Sequence, residues 1–300
     1  MITVIPRTLA GEGASTSVSF TEPSPPAASP GSDSGPEPGS DPATITGYWI
    51  VTSGGDALGF GGVSTVSAPS GSADVVAAAS PPGGRGLFLL HADGLVTARQ
   101  GAVWRGDMSG VPLDAPMVAM AVTPTGNGYW LLGADGGVFA FGDARFLGST
   151  GGMDLVAPVV DMAATPTGDG YWLVAADGGV FAFGDADFRG SVAMIPLDAP
   201  IRSVAAQGDG YRMVAEDGGV FVFGLGYEGS IRSRFPGVPG AMLPRAIRVR
   251  NLPGGRGYLV LTADGVVNAF GGGVVLLPTG SPMTPGETVV DLVLISDGVG

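Results

Sequence analysis

The chain has 300 residues, and its 54 glycines and 25 prolines, with only 14% charged residues, favour short strands and many turns over long exposed helices. It contains no cysteine and no lysine, which excludes disulfides, thiolate catalysis, thiolate zinc sites and lysine Schiff bases. The formal net charge of −13 argues against nucleic acid and anionic lipid as partners.

The first 44 residues predict an extended N-terminal arm. Residues 1–20 lack the basic segment and long apolar run of a signal peptide, but their apolar clusters at 2–5 and 18–20 suit docking on another protein. A frayed terminus is an equally good interpretation. Residues 21–44 are rich in proline and serine, so we expect an extended linker. No apolar run is long enough for a membrane-spanning helix, and membrane insertion is not expected.

A repeat of 39 to 47 residues fills residues 45–300. Residues 117–143 and 159–185 are nearly identical, and weaker copies follow at 75–98, 201–224 and 246–271. The glycine that opens the second strand of each unit recurs six times, as Gly47, Gly86, Gly128, Gly170, Gly210 and Gly257. This spacing is typical of a four-stranded propeller blade.

The fourth unit shows how each repeat divides into strands. Apolar runs at 159–165, 171–176 and 180–184 are separated by glycine-rich turns, which predicts an antiparallel sheet. A short fourth strand is predicted near residues 188–191. The middle run is apolar on both faces, as expected for a sheet that is covered on both sides.

Residues 289–300 predict how the domain closes. They align without a gap on residues 159–170, so they provide a first strand, whereas the repeat that begins at Gly47 starts with a second strand. We therefore expect the C-terminal strand to complete the first blade. The resulting fold class is all-β, a six-bladed β-propeller with both terminal strands in one blade and an extended N-terminal arm.

The run GYWLVAADGGVFAFGDADFRGS at residues 170–191 resembles a propeller repeat of actinobacterial surface and secreted proteins and of the phages of those hosts. Those proteins often join the repeat to cell-wall hydrolase or esterase domains. The resemblance covers residues 45–300 and implies the propeller fold. No hydrolase domain accompanies the repeat in these 300 residues.

Together with the arm, the resemblance implies a non-enzymatic virion protein of an actinobacteriophage, such as a minor tail protein. Residues 1–20 would dock on other virion proteins, and the propeller would face a host cell-wall glycan or surface protein. One alternative is a host-encoded extracellular propeller that binds cell-wall glycan or protein. Another is a hydrolase that uses carboxylates near the propeller axis.

Carboxylates recur at one place in five of the repeats, as Asp93, Asp135, Asp177, Asp217 and Asp264. A ring of them could bind a divalent cation or a polar glycan. Each belongs to an Asp-Gly hairpin, however, and the turn geometry alone favours aspartate there. We therefore expect a structural role, and neither a metal nor a cofactor.

The first strands should line the axis and bring one position of each repeat to the same level: Asp291, Ala77, Ala119, Asp161, Ser203 and Arg248. The two carboxylates could form the general acid/base pair of a hydrolase. An ion pair between Arg248 and Asp291 that pins the closing seam is the favoured interpretation, because buried charges need partners.

The least repeat-like segment, residues 225–244, predicts a binding surface. This segment and Arg245 contain the candidate binding residues Tyr227, Arg232, Arg234, Phe235 and Arg245, and Trp104 is a second candidate elsewhere. Exposed arginines and aromatics are typical of interface hot spots, but a solvated loop is equally compatible with the sequence. The single histidine, His91, has no catalytic partner in the sequence pattern and is predicted to be a surface residue.

Overall fold

The computed structural model describes residues 45–68, 74–84, 86–255, 257–271 and 287–296. The predicted arm, residues 1–44, and the last four residues lie outside this part of the chain. The described strands are β1 (Ile45–Thr52), β2 (Ala57–Gly61), β3 (Val75–Ala79), β4 (Leu87–His91), β5 (Val96–Arg99), β6 (Met117–Val122), β7 (Gly128–Gly133), β8 (Val138–Gly142), β9 (Val159–Ala164), β10 (Gly170–Ala175), β11 (Val180–Gly184), β12 (Ile201–Gln207), β13 (Gly210–Ala215), β14 (Val220–Phe223), β15 (Ala246–Asn251), β16 (Gly257–Thr262), β17 (Val267–Gly271) and β18 (Val289–Ser296).

These strands form six three-stranded antiparallel sheets. Sheet 1 has the order β18-β1-β2, and sheets 2 to 6 follow in chain order as β3-β4-β5, β6-β7-β8, β9-β10-β11, β12-β13-β14 and β15-β16-β17. We call β18, β3, β6, β9, β12 and β15 the inner strands. The fold is therefore all-β, as the sequence predicts, and it is compatible with a six-bladed β-propeller.

The middle strand of each sheet is the most buried. Every residue of β7, β10, β13 and β16 is buried, and apart from Arg212 and Thr262 both faces of these strands carry apolar side chains. The turn after each middle strand contains an Asp-Gly pair or its equivalent, and the glycine takes a positive φ, as at Gly136 (82°) and Gly178 (85°). A residue with a Cβ is strained in that conformation, so glycine sets the position of each hairpin.

Sheet 1 joins the two ends of the described domain. Strand β18 pairs antiparallel with β1, and the register brings Gly47 opposite Ile295 and Val51 opposite Asp291. The expectation that the C-terminal segment supplies the missing strand of the first repeat is thus met within residues 289–296. A single sheet consequently contains strands that are more than two hundred residues apart in the chain.

Six apolar clusters fill the spaces between consecutive sheets. One of them joins sheet 6 to sheet 1, where Leu259 and Leu261 pack with Tyr48, Ile50 and Leu292. The other five join sheets 1 and 2, 2 and 3, 3 and 4, 4 and 5, and 5 and 6. The inner strands also contact one another in sequence, and β18 contacts both β15 and β3. The packing is therefore continuous around the series of sheets.

The predicted fourth strand near residues 188–191 is not formed. In its place an irregular segment, residues 185–191, is held by side chains of two sheets. The Trp172 indole of the same sheet donates to the Asp187 carbonyl at 2.8 Å, and the Tyr211 hydroxyl of the next sheet donates to the Gly190 carbonyl at 2.5 Å. These bonds satisfy backbone groups that a ladder would otherwise have paired. We call this region of each repeat the outer segment.

The few helices are short. The only α-helix in the described residues, α1 (Ile231–Arg234), lies in the segment between sheets 5 and 6. Its first turn is closed by a capping box in which Ser230 and Ser233 bond each other's backbone N–H groups. Within the described ranges, no helix has the length and apolar character needed to cross a membrane.

Candidate functional site

The inner strands carry a belt of polar side chains among mostly apolar neighbours. Asp161 lies on β9, Ser203 on β12, Arg248 and Arg250 on β15, and Asp291 on β18. Asp161, Ser203, Arg248 and Asp291 are all buried. At the equivalent level, sheets 2 and 3 have Ala77 and Ala119, so the belt is confined to four of the six sheets.

Asp291 is the most heavily bonded member of this belt. One carboxylate oxygen accepts from Arg250 at 2.5 Å and from its neighbour Leu292 N–H at 2.7 Å. The other accepts from the Ala78 N–H at 2.9 Å and lies 3.4 Å from Arg248 Nε in an ion pair. Asp291 therefore links sheet 1 to sheet 6 through the arginines and to sheet 2 through the backbone.

Asp161 and Ser203 continue the belt across sheets 4, 5 and 6. One Asp161 oxygen accepts from the Ser203 hydroxyl at 2.7 Å and from the Val204 N–H at 2.9 Å. The Ser203 hydroxyl in turn accepts from the Val249 N–H of sheet 6 at 3.2 Å. In each case a side chain on one inner strand bonds the backbone of the next inner strand.

The electrostatics of the belt are those of bonded charges in a buried site. Burial lowers the pKa of Arg248, but the charges of Asp291 and Asp161 outweigh it, and the pKa of Arg248 is raised above its ordinary value. Both oxygens of Asp161 and of Asp291 already accept hydrogen bonds from the protein. The arrangement is thus suited to bridging sheets, whereas a general acid/base pair needs an oxygen that faces the substrate.

The recurrent aspartates stabilise the hairpin turns that contain them. Each carboxylate accepts from a backbone N–H two residues later, at 3.0 Å from Leu95 to Asp93, 3.0 Å from Gly137 to Asp135, 2.9 Å from Gly179 to Asp177, 3.0 Å from Gly219 to Asp217 and 3.3 Å from Val266 to Asp264. This is the Asx-turn geometry expected of the Asp-Gly pairs. Among the described residues, no group of three or more potential ligands is placed to hold a metal ion.

The arginines of the segment between sheets 5 and 6 are engaged within the chain. Arg232 bonds Asp217 and also Asp198, the latter at 3.1 Å. Arg234 lies over the Phe270 ring at 4.1 Å and donates to the Ala269 carbonyl. These contacts fasten the segment to both neighbouring sheets, although most of its residues are exposed to solvent.

The other predicted binding residues differ in how much of their surface is free. Arg245 pairs with Glu216 at 2.7 Å. The Tyr227 hydroxyl bonds Ser230 at 3.3 Å, and Phe235 is exposed without a stacking partner in the described residues. Trp104 is exposed over 55% of its surface while its indole N–H donates to Asp107 at 3.1 Å. The structure therefore does not bring Trp104 together with the candidates of residues 225–245.

The expectation of a surface histidine is wrong. His91 is only 7% exposed, and its Nε2 lies 3.1 Å from the Thr97 hydroxyl on the neighbouring strand. The histidine ends β4 and is buried, and the Thr97 hydroxyl contacts a ring nitrogen. The sequence pattern misleads here because a residue just before a hairpin can face either side of the sheet.

Sequence reasoning missed a carboxylate clamp in the two strongest repeats. Asp185 accepts from the hydroxyls of Thr165 and Thr167 at 2.8 and 2.5 Å. Asp143 accepts in the same way from Thr123 and Thr125. The clamp ties the turn before the middle strand to the end of the third strand. The signal was available, since the run TPTG and the terminal Asp of FAFGD occur together in sheets 3 and 4.

A buried arginine, Arg212, was also missed. It occupies the place that Trp172 and Trp130 hold in the preceding sheets, and it lies over the Tyr258 ring at 4.3 Å. Its guanidinium donates to Asn251 at 2.6 Å. Burial lowers its pKa from the ordinary value. The break in the GYW pattern at GYR was the available signal.

Exposed aromatic rings recur on the outer segments. They stand two residues before a glycine in sheets 2, 3, 4 and 5, and their exposed fractions are 55% for Trp104, 61% for Phe146, 60% for Phe188 and 37% for Tyr227. Two of these four rings, Trp104 and Tyr227, were predicted binding residues, but their common position was not predicted. We call these four side chains the aromatic row.

Two open depressions occupy equivalent places beside sheets 2 and 4. One has a volume of about 340 Å³ and is lined by Asp93, Val111 and Leu113, and the other has about 310 Å³ and is lined by Asp177, Ile195 and Leu197. Each is a shallow surface feature next to a hairpin. The depressions thus recur at equivalent positions, as the rings of the aromatic row do.

The comparisons with known proteins are negative. No protein-family model matches the chain, and no curated protein matches its sequence.

Proposed function

We propose that the six sheets form a closed six-bladed β-propeller that acts as a non-enzymatic binding module. The observation that carries this proposal is the division of polar and aromatic groups. The carboxylates of the inner strands accept hydrogen bonds from neighbouring sheets, whereas aromatic rings on the outer segments recur with large exposed fractions. In a module of this kind the outer rim contacts the partner, whereas the side chains of the inner strands stabilise the fold.

The closure of the ring has its own test. Ile45 and Ser296 are paired across β1 and β18, and the natural chain contains no cysteine. We expect the double variant Ile45→Cys, Ser296→Cys to be joined quantitatively by oxidation or a short bismaleimide in the native state. The crosslink closes a loop of nearly the whole domain and should raise the free energy of unfolding by about 2–4 kcal/mol.

Each single-cysteine variant is the control for that crosslink, since it can form only intermolecular products. Crosslinking that requires denaturant would contradict closure of the ring at sheet 1. A crosslink that forms but leaves the melting temperature unchanged would leave the pairing intact and reject its contribution to stability.

The setting that we propose for the module is the virion of an actinobacteriophage. The repeat resembles those of actinobacterial surface proteins and their phages, and residues 1–44 suit a docking segment followed by a linker. On this proposal residues 1–20 bind another virion or tail protein, and the propeller engages the host envelope. A host-encoded, cell-wall-associated propeller would use the same binding surface and differ only in where the chain is found.

The test has two parts. Antibodies against the chain should label purified particles, and deletion of residues 1–20 should remove the label while the shortened chain is still produced. The full chain should also sediment with purified mycolic-acid-containing cell walls and not with cell walls of unrelated Gram-positive bacteria. Labelling of walls from uninfected cells, with none on particles, would replace the virion setting by the host one. Absence of binding to any envelope preparation would reject the binding function.

A further inference from the structure

The aromatic row is a repeated and exposed feature. Its members occupy the same position in four successive sheets, and three of them, Trp104, Phe146 and Phe188, expose more than half of their surface. Sheet 1 has Thr65 in this place, sixteen residues after its tryptophan, so the row covers consecutive sheets and is not a general consequence of the fold. Solvent exposure of an apolar ring does not stabilise the fold. Exposed rings that recur at one position therefore indicate a ligand-binding role.

The backbone holds each ring in a fixed position. The glycine two residues after the ring has a φ of 123° at Gly106, 133° at Gly148 and 130° at Gly190. Its carbonyl accepts from a buried tyrosine hydroxyl of the following sheet, at 2.5 Å in all three cases. A Cβ at these glycines would meet a phenylalanine ring of that sheet. The rings are thus carried by rigid segments, which lowers the entropy lost when a ligand binds.

Each of these three rings has an arginine as its chain neighbour, and each arginine bonds a polar residue of the following sheet. Arg105 donates to Asn127 at 2.9 Å, and Arg145 pairs with Asp169 at 3.0 Å. Arg189 pairs with Asp187 at 3.0 Å and lies 3.5 Å from Asp209. Three similar units result, and each combines an exposed apolar ring with an exposed array of planar donors and acceptors. Arg145 precedes its ring in the chain, whereas Arg105 and Arg189 follow theirs.

The charges of these units favour a neutral partner. The three arginines are accompanied by four aspartates, including Asp107 that bonds the Trp104 indole, and by one asparagine, so the units together have no excess of positive charge. The whole chain carries a formal charge of −13. Nucleic acid and anionic polymers are disfavoured by this field, and the polar groups between the rings interrupt the continuous apolar surface that a lipid interface needs.

A pyranose ring has the complementary chemistry. One face presents C–H groups that pack on an aromatic ring, and its edge presents hydroxyls that bond guanidinium, carboxylate and amide groups. A polysaccharide repeats that chemistry along its length, as the units repeat along the rim. We propose that three members of the aromatic row, Trp104, Phe146 and Phe188, bind a neutral polysaccharide together with the adjoining arginine pairs. This inference rests on the proposed binding function and names its ligand class.

Because the three units belong to one chain, weak contacts at each unit are sufficient for strong binding of a polymer. Once one unit is occupied, another sugar of the same polymer meets the second unit at a high effective concentration, so the affinity of three units exceeds that of one by about 10²-fold or more. Loss of single rings should therefore weaken binding in steps, and loss of all three should nearly abolish it.

The experiment uses the full chain in native gels that contain a soluble neutral polysaccharide. The panel is dextran, mannan, galactan and arabinogalactan, with alginate and heparin as anionic polymers. The test variants are Trp104→Ala, Phe146→Ala and Phe188→Ala, singly and combined. Met153→Ala and Val156→Ala are matched controls, because these side chains are 60% and 95% exposed but lie outside the row. Circular dichroism and melting temperature verify that every variant is folded.

We expect at least one neutral polysaccharide to retard the natural chain and the anionic polymers not to. Each single variant should raise the apparent Kd by about 3- to 10-fold, the triple variant by about 100-fold or more, and the controls by less than 2-fold. Equal retardation of the folded triple variant and the natural chain overturns the inference. Retardation by the anionic polymers alone, or by no polymer, overturns it as well.

The outcome separates this inference from the proposed function. If the triple variant sediments with mycolic-acid-containing cell walls as well as the natural chain does, the row is not the binding surface although the binding function stands. If the natural chain sediments with walls but no polysaccharide retards it, the proposed ligand class is wrong although the binding function stands. If it sediments with no envelope preparation, the proposed function itself fails.

Discussion

Six side chains lie at one level on the inner strands, and their chemistry changes around the sheets. Sheets 2 and 3 have alanine there, whereas the seam between sheets 6 and 1 combines Arg248, Arg250 and Asp291. Buried ions stabilise a protein only when partners satisfy them, and removal of one partner leaves an uncompensated charge. The residues of the seam therefore depend on one another more strongly than those elsewhere in the belt.

The first prediction concerns Asp291→Ala. This change leaves the buried Arg248 without its carboxylate and the Ala78 N–H without its acceptor, so we expect the free energy of unfolding to fall by about 3–5 kcal/mol. Chemical denaturation followed by tryptophan fluorescence measures the loss. Asp161→Ala is the matched comparison, because Asp161 bonds the next inner strand but forms no ion pair within the described residues.

For Asp161→Ala we expect a smaller loss, of about 1–3 kcal/mol. Equal losses for the two variants would mean that the bonds to backbone N–H groups dominate and that the ion pairs of the seam contribute little. An unchanged unfolding free energy for Asp291→Ala would reject the role of Asp291 as a bridge between sheets.

At the scale of the element, the outer segments show how a sheet can end without a fourth strand. In the GYW run, the tyrosine hydroxyl bonds the outer segment of the preceding sheet and the tryptophan indole bonds that of its own sheet, as Tyr171 does with Gly148 and Trp172 with Asp187. Two side chains therefore replace several ladder bonds. Because the tyrosine belongs to the next sheet, the same bond that holds the segment also joins two sheets.

The second prediction compares two tyrosines. Tyr171→Phe removes a hydroxyl that accepts from the Leu147 N–H at 3.1 Å and donates to the Gly148 carbonyl at 2.5 Å. It should cost about 1–3 kcal/mol, because both backbone groups lose a partner. Tyr48→Phe is the control, since the buried Tyr48 hydroxyl finds no hydrogen-bond partner among the described residues. We expect it to be neutral or slightly stabilising.

Denaturant unfolding of both variants decides the matter. If Tyr48→Phe costs as much as Tyr171→Phe, the loss reflects packing around the ring and not the hydrogen bonds of the outer segment. Hydrogen exchange should agree: the Leu147 amide should exchange faster in Tyr171→Phe and at an unchanged rate in Tyr48→Phe.

Sequence reasoning reached the strands and turns of these elements but not the outer segments. The apolar runs and the Asp-Gly turns predict three strands per repeat, and all three are present in sheets 2 to 6. The prediction of a fourth strand was wrong, because strand patterns do not reveal that side chains from two different sheets bond the same backbone segment. The meaning of Tyr171 and Trp172 was likewise hidden, since both look like ordinary residues of a buried strand.

At the scale of the whole molecule, one buried tyrosine in each of sheets 1, 3, 4, 5 and 6 couples stability to alkaline pH. Burial raises the pKa of Tyr48 to about 12, and desolvation also raises the pKa of Tyr129, Tyr171, Tyr211 and Tyr258. The folded protein thus keeps tyrosine protons that the unfolded chain loses near pH 10. The chain has no lysine or cysteine to complicate titration in this range.

The third prediction is a loss of stability above pH 10. A group whose pKa is raised on folding contributes its full stability below the unfolded pKa, and that contribution falls as the pH rises towards the folded pKa. Each buried tyrosine contributes a slope of up to about 1.4 kcal/mol per pH unit. Denaturation midpoints at pH 9, 10, 11 and 11.5, with tyrosinate absorbance, measure the slope. Tyr48→Phe should reduce it, and a flat profile to pH 11.5 would contradict the prediction.

The sequence by itself determined the repeat, the all-β class and the completion of the first sheet by the C-terminal strand. Strand period, turn residues and repeat spacing are local properties, and the seam follows from aligning one strand with another. Apart from the expected pair of Arg248 and Asp291, only the tertiary structure decided which side chains meet across sheets. The bonds from Asp291 to Arg250, from Tyr171 to Gly148 and from Arg232 to Asp217 join residues of neighbouring repeats or of a connecting segment. Their partners are set by how the sheets pack, and strand patterns carry no record of that packing.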